Sequence, residues 1–506
     1  MKEQKSTKTT AEWVYVALAL IVGVLIIVFA TSIRISKGNF FPIGYDSYHN
    51  LRISNDILKS GSLVQFDSLS NGGRSVGYFL GWPLLVVLTS KLFGNTDTLF
   101  ASRFLPTLFS LLSFIVLYFI IRRLFDNKRE TVIFLFLFVF SAPFIYTSII
   151  NSYYSVCMFL GLLSFYFYLK NKTWANVVST ALFSLIPLFN LYAFLISLIL
   201  FGFYILLVDK KRISRFIWAF VVGLITFIIY FDLWLSRFTP LGNLFILHTP
   251  DGTRFYGINS ISQFIAEFGG SFGLGFFISI LSLFGLGVIW RAKYKYSYSY
   301  LMIPILFLLS FYFEFAFFYL NLFLIFLASV GLNKIIYRKF ESQSIKYLIL
   351  IILGCGVVFD GISYANSYGD LSPTIREAEM MSFIKDRTLS NAVIFSYYKN
   401  GDWISYAGKT NVIDSSLLYT KDYYPRWVDS NTIFHPSSVS ELKGLLDKYR
   451  VDYIWIDKKS QGLIYAKDNL ASDELPLFVY TIKNDRSFKL VFRNFEVELY
   501  RYNKNQ

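Results

Sequence analysis

Between Gly44 and Ser54 the chain reads GYDSYHNLRIS, which sets Asp46, His49, Asn50 and Arg52 close together beside two tyrosines. A carboxylate in that setting can deprotonate an acceptor or hold a cation. The same residues also describe an ordinary helix start. Asp46 and Ser47 open a segment with apolar positions at Tyr48, Leu51, Ile57 and Leu58, and Gly61 closes it. As an N-cap, Asp46 would contribute about 1 kcal/mol. On residue types alone, the cap is the simpler reading.

Few other residues are candidates for chemistry. Arg237, His248 and Arg254 lie in the 232–271 stretch and are able to hold a lipid phosphate, or simply to snorkel at an interface. Asp232 and Glu314 stand at the ends of apolar runs, where a carboxylate costs less than at mid-membrane. Asp402 follows Gly401 and reads as a helix cap; Lys399, in YKNGD, reads as a turn residue. His435 precedes Pro436 and reads as a loop residue. The sequence contains no glycine-rich phosphate loop, HExxH, CxxC or nucleophile elbow. Cys157 and Cys355 both sit in apolar segments and suggest neither a disulfide nor a metal centre.

The elements that must position these residues are mostly membrane spans. Of 506 residues, 55% are hydrophobic and 16% charged, well under the roughly one-quarter charged residues of soluble domains. The net charge of +15 comes from Lys and Arg in short tracts between apolar runs. That placement follows the positive-inside rule and argues against nucleic acid as a partner. Residues 13–30 are too long and uniform for a signal-peptide core and read as a retained first span. Further spanning runs fall at 99–121, 131–149, 154–169, 214–231, 272–290 and 345–360.

Two stretches, 174–208 and 299–332, are each about 35 residues long and would make single helices of roughly 50 Å, against a hydrocarbon core of about 30 Å. Both are basic at each end, so each reads as a hairpin of two spans. The bends are expected at Pro187–Asn190 and near Glu314. The total is about eleven spans, with a cytoplasmic N-terminus and an extracytoplasmic C-terminus. The fold class is therefore a polytopic α-helical membrane protein.

Residues 1–361 form the membrane domain, with a long first external loop at 31–97 and a second at 232–271. The first loop includes YFLGWPLLVVLTSKLF, a helix expected to lie along the surface or to be re-entrant. Residues 362–506 turn polar and alternate element types. REAEMMSFIKDR reads as a helix, NAVIFSYY as a strand and SVSELKGLLDKYR as a serine-capped helix. VDYIWID reads as a strand, and FKLVFRNFEVELYRY as two closing strands. This segment is expected to be a mixed α/β domain outside the membrane.

Placed in a first external loop after one span, Asp46, Tyr48, Asn50 and Arg52 resemble the first-loop aspartate motif of the GT-C glycosyltransferases. These include the catalytic subunit of oligosaccharyltransferase and the protein O-mannosyltransferases. The overall plan is similar along nearly the whole chain. The resemblance implies a plasma-membrane enzyme that moves sugar from a polyprenyl-phosphate-linked donor in the bilayer to a glycan or protein acceptor on the outer face. It implies Asp46 as base or as ligand of a divalent cation such as Mg or Mn, with His49, Asn50, Arg52, Arg237, His248, Arg254 and Lys399 around the substrates.

The departures from that pattern are specific. SIINSYYSV has no carboxylate where oligosaccharyltransferase has its second acidic pair, and SISQ at Ser260–Gln263 has Gln in place of Glu. In SYYKNGDWISYAGKT, Tyr397, Tyr398 and Lys399 replace the Trp-Trp-Asp that reads an acceptor sequon. The expected activity is therefore a GT-C-type transfer. A divergent oligosaccharyltransferase, and a non-catalytic saccharide transporter or partner protein, are the alternatives.

Overall fold

The computed structural model describes residues 3–75, 80–94, 97–125, 127–170, 172–208, 217, 220–221, 223–224, 273–290, 294, 296–415, 423–458, 460 and 476–504. The chain divides into two compact units. One comprises Met1–Lys37, Arg103–Tyr230 and Tyr256–Asp370; the other comprises Gly38–Ser102, Phe231–Phe255 and Leu371–Gln506.

The first unit is helical. It begins with α1 (Glu3–Ser36), while α2 (Tyr45–Ser60) and α3 (Gly81–Leu92) belong to the second unit. Then come α4 (Thr98–Leu124), α5 (Lys128–Val139), α6 (Ala142–Ile149), α7 (Tyr154–Leu169), α8 (Thr173–Leu185) and α9 (Leu191–Leu207). Beyond them are α10 (Phe276–Ile289), α11 (Ser297–Ser310), α12 (Glu314–Tyr337) and α13 (Gln343–Gly369). Among the described residues four helices are long and apolar enough to cross a membrane (α1, α4, α12 and α13), and α5 with α6 makes a fifth if that bent pair is one span. The chain is a multi-pass membrane protein.

Helix breaks follow local chemistry. The α8 helix gives way to a 3₁₀ turn at Ile186–Leu188 around Pro187, and Asn190 caps α9 by accepting from the Ala193 amide at 2.9 Å. Phe183 of α8 meets Phe194 and Phe201 of α9 at ring separations of 5.0 and 5.3 Å, so the two helices fold back on each other. The α11–α12 pair breaks between Ser310 and Glu314, and Tyr298 packs on Phe323 at 5.6 Å. The 131–149 run, expected as a span, is bent by 56° between α5 and α6. Pro143 in the first turn of α6 explains it: the ring supplies no amide hydrogen and sterically opposes continuation of the preceding helix.

The second unit is built on a mixed five-stranded sheet. Its strands are β3 (Val393–Phe395), β4 (Thr410–Asn411), β5 (Tyr453–Asp457), β6 (Phe488–Arg493) and β7 (Val497–Tyr502), in the order β4-β3-β5-β7-β6. Strand β3 is parallel to both β4 and β5; β7 is antiparallel to β5 and β6. Earlier in the chain β1 (Phe66–Asp67) and β2 (Arg74–Ser75) pair as a small hairpin around Asn71–Gly73.

Alternation along the strands sends side chains to two cores. Phe395, Ile454, Ile456 and Tyr500 pack with Leu442 and Leu446 of α17 (Val439–Lys448) and Phe478 of α18 (Leu477–Asn484). On the other face, Ile394, Trp455 and Leu499 pack with Met380 and Ile384 of α14 (Ile375–Arg387) and with Trp403 of α15 (Tyr398–Tyr406). Tyr48 of α2 enters this second core, only 1% exposed. Large aromatic side chains buried like this are each worth about 3–5 kcal/mol against alanine. The first-loop helix is thereby fixed on the sheet. Helix α16 (Tyr423–Phe434) completes the set, with the Tyr398 ring tilted against Trp427 at 4.7 Å.

Candidate functional site

Helix α2 starts two residues earlier than a cap at Asp46 requires. Its N-cap is Gly44, at φ 92°, a left-handed value that disfavours any side chain. Its amide is held by the Ser372 carbonyl at 3.1 Å. Asp46 therefore lies inside the first turn and makes no capping bond, so the cap reading is corrected. Its carboxylate remains half-buried and free to act in the site, while Tyr48, His49, Asn50 and Arg52 are buried on the helix.

Aromatic packing brings α2 onto α15. Trp403 lies 4.9 Å from the Tyr45 ring and 6.2 Å from the Tyr48 ring, and Tyr406 lies 5.0 Å from Tyr48. This contact delivers Asp402 to Asp46. Ser415, just past β4, places its hydroxyl 3.3 Å from Asp46 Oδ1 and donates a short hydrogen bond to Asp402 Oδ2. His49 Nδ1 is 3.6 Å from Asp402 Oδ1. Gly401 permits the arrangement: a Cβ there would come within 2.0 Å of the Ile413 carbonyl oxygen.

Both Asp402, after β3, and Ser415, after β4, follow the carboxyl ends of parallel strands, the place where open α/β sheets bind ligands. The expectation that Asp402 caps a helix and Lys399 sits in a turn is corrected as well. Tyr397 is the N-cap of α15, so Lys399 belongs to its first turn and Asp402 to its middle.

Behind these groups runs a buried ionic network. Arg52 grips Asp67 with two nitrogens at 2.8 and 2.7 Å. Arg74 reaches Asp67 at 3.0 Å and Asp414 at 2.6 Å. Asn411 donates to the other Asp414 oxygen at 3.0 Å. Arg52, expected at the substrate, is instead committed to this network, because a buried guanidinium needs a carboxylate partner. The network ties the β1–β2 hairpin to α2 and to the segment carrying Ser415.

The charges divide accordingly. Burial opposes ionisation of Asp67, but Arg52 and Arg74 outweigh it and hold its carboxyl far below the usual range. Arg74 does the same for Asp414 against its burial. Burial, then the neighbouring Asp414 and Asp46 charges, push Asp402 well above the carboxylate range. Burial also raises Asp46, with Ser415 and Lys399 pulling it partly back. His49 is pushed down to about 3 by burial and the two arginines, so its imidazole is neutral at physiological pH. The Lys399 ammonium lies 5.7 Å from the centre of the Tyr45 ring.

Among the described residues no group of three or more His, Cys, Asp or Glu side chains is placed to hold a metal. A zinc site built on three or four protein ligands is therefore a poor fit. A hard cation of the Mg type is held by one or two carboxylates, with substrate phosphate and water completing its shell. Asp46 and Asp402 fit that requirement: both are crowded carboxylates, and Asp402 Oδ1 is buried and accepts no hydrogen bond among the described residues.

Arg237, His248, Arg254 and Asp232 lie outside the described residues. Glu314 belongs to the helical unit, where it opens α12 and accepts from the Tyr154 hydroxyl at 2.6 Å. Sequence reasoning missed Asp67, Arg74, Asp414 and Ser415 altogether. The Asn-Gly pair at 71–72 was the available signal for the hairpin that carries Asp67 and Arg74.

No family model matches the chain. Over 239 residues, 45% of its length, it is 25% identical to dolichyl-phosphooligosaccharide-protein glycotransferase 1 of Archaeoglobus fulgidus, and it spans 39% of that relative. The apo oligosaccharyltransferase of the same organism matches in structure with a TM-score of 0.61 at 13% identity, covering 87% of this chain and 69% of that one. That enzyme also matches as a complex with Zn and sulfate, with a TM-score of 0.60 at 14% identity, covering 96% of this chain and 73% of that one. ArnT from Cupriavidus metallidurans bound to undecaprenyl phosphate matches with a TM-score of 0.54 at 14% identity, covering 96% and 97%. The chain thus carries the fold of the GT-C membrane glycosyltransferases, with sequence homology to the archaeal oligosaccharyltransferase.

Proposed function

We propose that this protein transfers a sugar from a polyprenyl-phosphate-linked donor to an acceptor outside the cytoplasm, with Asp46 as the base. The observation that carries this reading is the meeting of Asp46 with Asp402 on the Ser415 hydroxyl, past the carboxyl ends of β3 and β4. A phosphate leaving group needs little acid help, whereas a hydroxyl acceptor needs a carboxylate nearby. Burial and like charge make Asp402 the harder of the two carboxyls to ionise, so Asp46 is the group that takes the proton, and Ser415 orients it. The neutral His49 stands 3.6 Å from Asp402, and the Lys399 charge acts on Asp46. A divalent cation, held by Asp46 and Asp402, would neutralise charge developing on the departing phosphate.

The donor class is supported by the neighbours, one solved with undecaprenyl phosphate and another with dolichol-phosphate and an inhibitory peptide. On this reading about eleven spans place the first loop and residues 362–506 outside the cell. Reporters fused after residue 370 should then be extracytoplasmic, and those fused near 211 or 336 cytoplasmic. A cytoplasmic reporter after 370 would sink the topology.

The oligosaccharyltransferase reading is favoured by the sequence homology and disfavoured by Lys399. An ammonium offers donors only, so it cannot accept a hydrogen bond from a sequon hydroxyl. Purified protein given a polyprenyl-phosphate sugar and an Asn-x-Thr peptide is expected to consume donor without producing glycopeptide. Glycopeptide would promote the oligosaccharyltransferase reading. Donor binding without turnover on any acceptor would favour a non-catalytic transporter or partner protein.

A further inference from the structure

The helical unit holds a cavity of about 370 Å³ whose lining includes none of the residues of the candidate site. Its walls come from the last third of α4, the second half of α7, α9, the start of α11 and the middle of α12, with Leu117, Phe165, Leu200 and Phe323 among them. Three of the hydroxyls on its wall are already paired. The Ser197 and Tyr319 hydroxyls bond each other at 3.0 Å, and the Tyr298 hydroxyl donates to the Leu200 carbonyl at 2.9 Å. Water therefore gains little by entering.

Charge identifies what fills it. Three of the helices around the cavity, α4, α7 and α12, carry cations at their C-terminal ends. Arg122 and Arg123 close α4, Lys170 caps α7, and Lys334 lies in the last turn of α12. In the sequence, Lys210, Lys211 and Arg212 follow α9, and Arg291, Lys293 and Lys295 precede α11. Arg123 and Lys170 converge on one ring, 5.1 and 4.7 Å from the centre of Tyr166. The positive-inside rule assigns this end to the cytoplasm, where the leaflet is anionic and basic helix ends take up lipid headgroups.

We propose that the cavity seats one acyl chain of an anionic phospholipid of the cytoplasmic leaflet, its phosphate resting among these basic helix ends. The volume lies at the low end of the roughly 300–1,000 Å³ typical of ligand pockets. It suits the greater part of one acyl chain and is too small for a long isoprenoid. The lipid fills the void and stays through turnover.

The test uses the full chain in nanodiscs doped with phosphatidylglycerol or phosphatidylcholine carrying the same diazirine-labelled acyl chain. The phosphatidylglycerol probe is expected to label peptides containing Phe165, Leu200 or Phe323 about fivefold more than the phosphatidylcholine probe. Leu200→Trp, which fills the cavity and keeps the backbone carbonyl, should lower that labelling at least about threefold. Arg123→Gln with Lys170→Gln should abolish the headgroup preference and leave the chain's entry intact. If Leu200→Trp fails to fold, Ser299→Phe on the opposite wall serves in its place. Equal labelling by the two probes would overturn the proposal, as would unchanged labelling in a folded cavity-filling variant. Competition by polyprenyl phosphate would also overturn it, by making the cavity a seat for the donor chain.

Discussion

Ser415 and Asp46 are 369 residues apart in sequence and 3.3 Å apart in space. One hydroxyl has one proton to give, and two carboxylates meet at this one. The pair is therefore unequal by construction, with Asp402 deeper and more crowded, and Asp46 half-open beside Lys399.

Asp46→Asn is expected to lower sugar transfer by about 100-fold or more, the scale of a lost general base. Because Gly44 is the N-cap, the helix start is not disturbed, and thermal stability should stay within about 0.5 kcal/mol. Turnover of a polyprenyl-phosphate sugar, paired with a thermal melt, checks both. A variant with near-normal turnover would remove Asp46 from the chemistry.

Asp402→Asn tests the other carboxyl. Its raised value means that folding favours the proton, so its contribution to stability is present at low pH and lost as pH rises from about 4 through that value. At neutral pH it is a burden on the fold. The asparagine variant should melt no lower, and somewhat higher, at pH 7–8, while binding Mn²⁺ more weakly by calorimetry. A lower melting point at neutral pH would mean that Asp402 is ionised and usefully paired.

Asp67 behaves in the opposite sense. Its depressed value means that its contribution is fully present above about pH 4 and fades as pH falls below that. Asp67→Asn strands Arg52 in a buried site, leaves Arg74 with Asp414 alone, and should cost about 3–5 kcal/mol at pH 7. The loss should shrink in acid, because the wild-type protein loses the same interaction there. Melting curves from pH 3 to pH 7 decide the matter; a constant difference would refute the linkage.

Much of this was legible in the sequence, and the rest was not for identifiable reasons. The strand VDYIWID, the Ser438-capped helix and the two closing strands declared themselves through periodicity and caps, and they appear where expected. So did the helix breaks at Pro187–Asn190 and before Glu314. Helix α15 hid behind YKNGD because Asn and Gly are poor helix formers, and tertiary packing of Trp403 overrode them. Ser415, Asp414 and Arg74 carry no local pattern at all. Their place in the site depends on contacts across more than three hundred residues, as the Arg74–Asp414 separation of 340 illustrates.

Gly401→Ala is the smallest change that should disrupt the site. The new methyl group would meet the Ile413 carbonyl oxygen at 2.0 Å and the Asp414 Cβ at 2.7 Å. Backbone cannot yield cheaply, so the expected cost is about 1–3 kcal/mol. Asp402 and Ser415 would separate, and transfer should fall by more than the stability loss explains. Full activity at a temperature where the variant is folded would show that the close approach is dispensable.

The edge strand β4 is only two residues long, and its outer side is already taken. The Asn411 amide donates to the Leu69 carbonyl at 2.9 Å, and the Asn71 amide donates to the Asn411 carbonyl at 2.8 Å. The sheet of the tail is thus finished by a piece of the first loop, which seals an edge that would otherwise recruit another chain. In the order of synthesis, that piece and the buried arginine beside it exist 340 residues before Asp414 arrives. The first loop must therefore wait, unfolded or guarded, until almost the whole membrane portion has been made. A tail expressed from residue 371 onward would show the converse, with an open strand edge, an unneutralised Asp414, and aggregation in place of a folded domain.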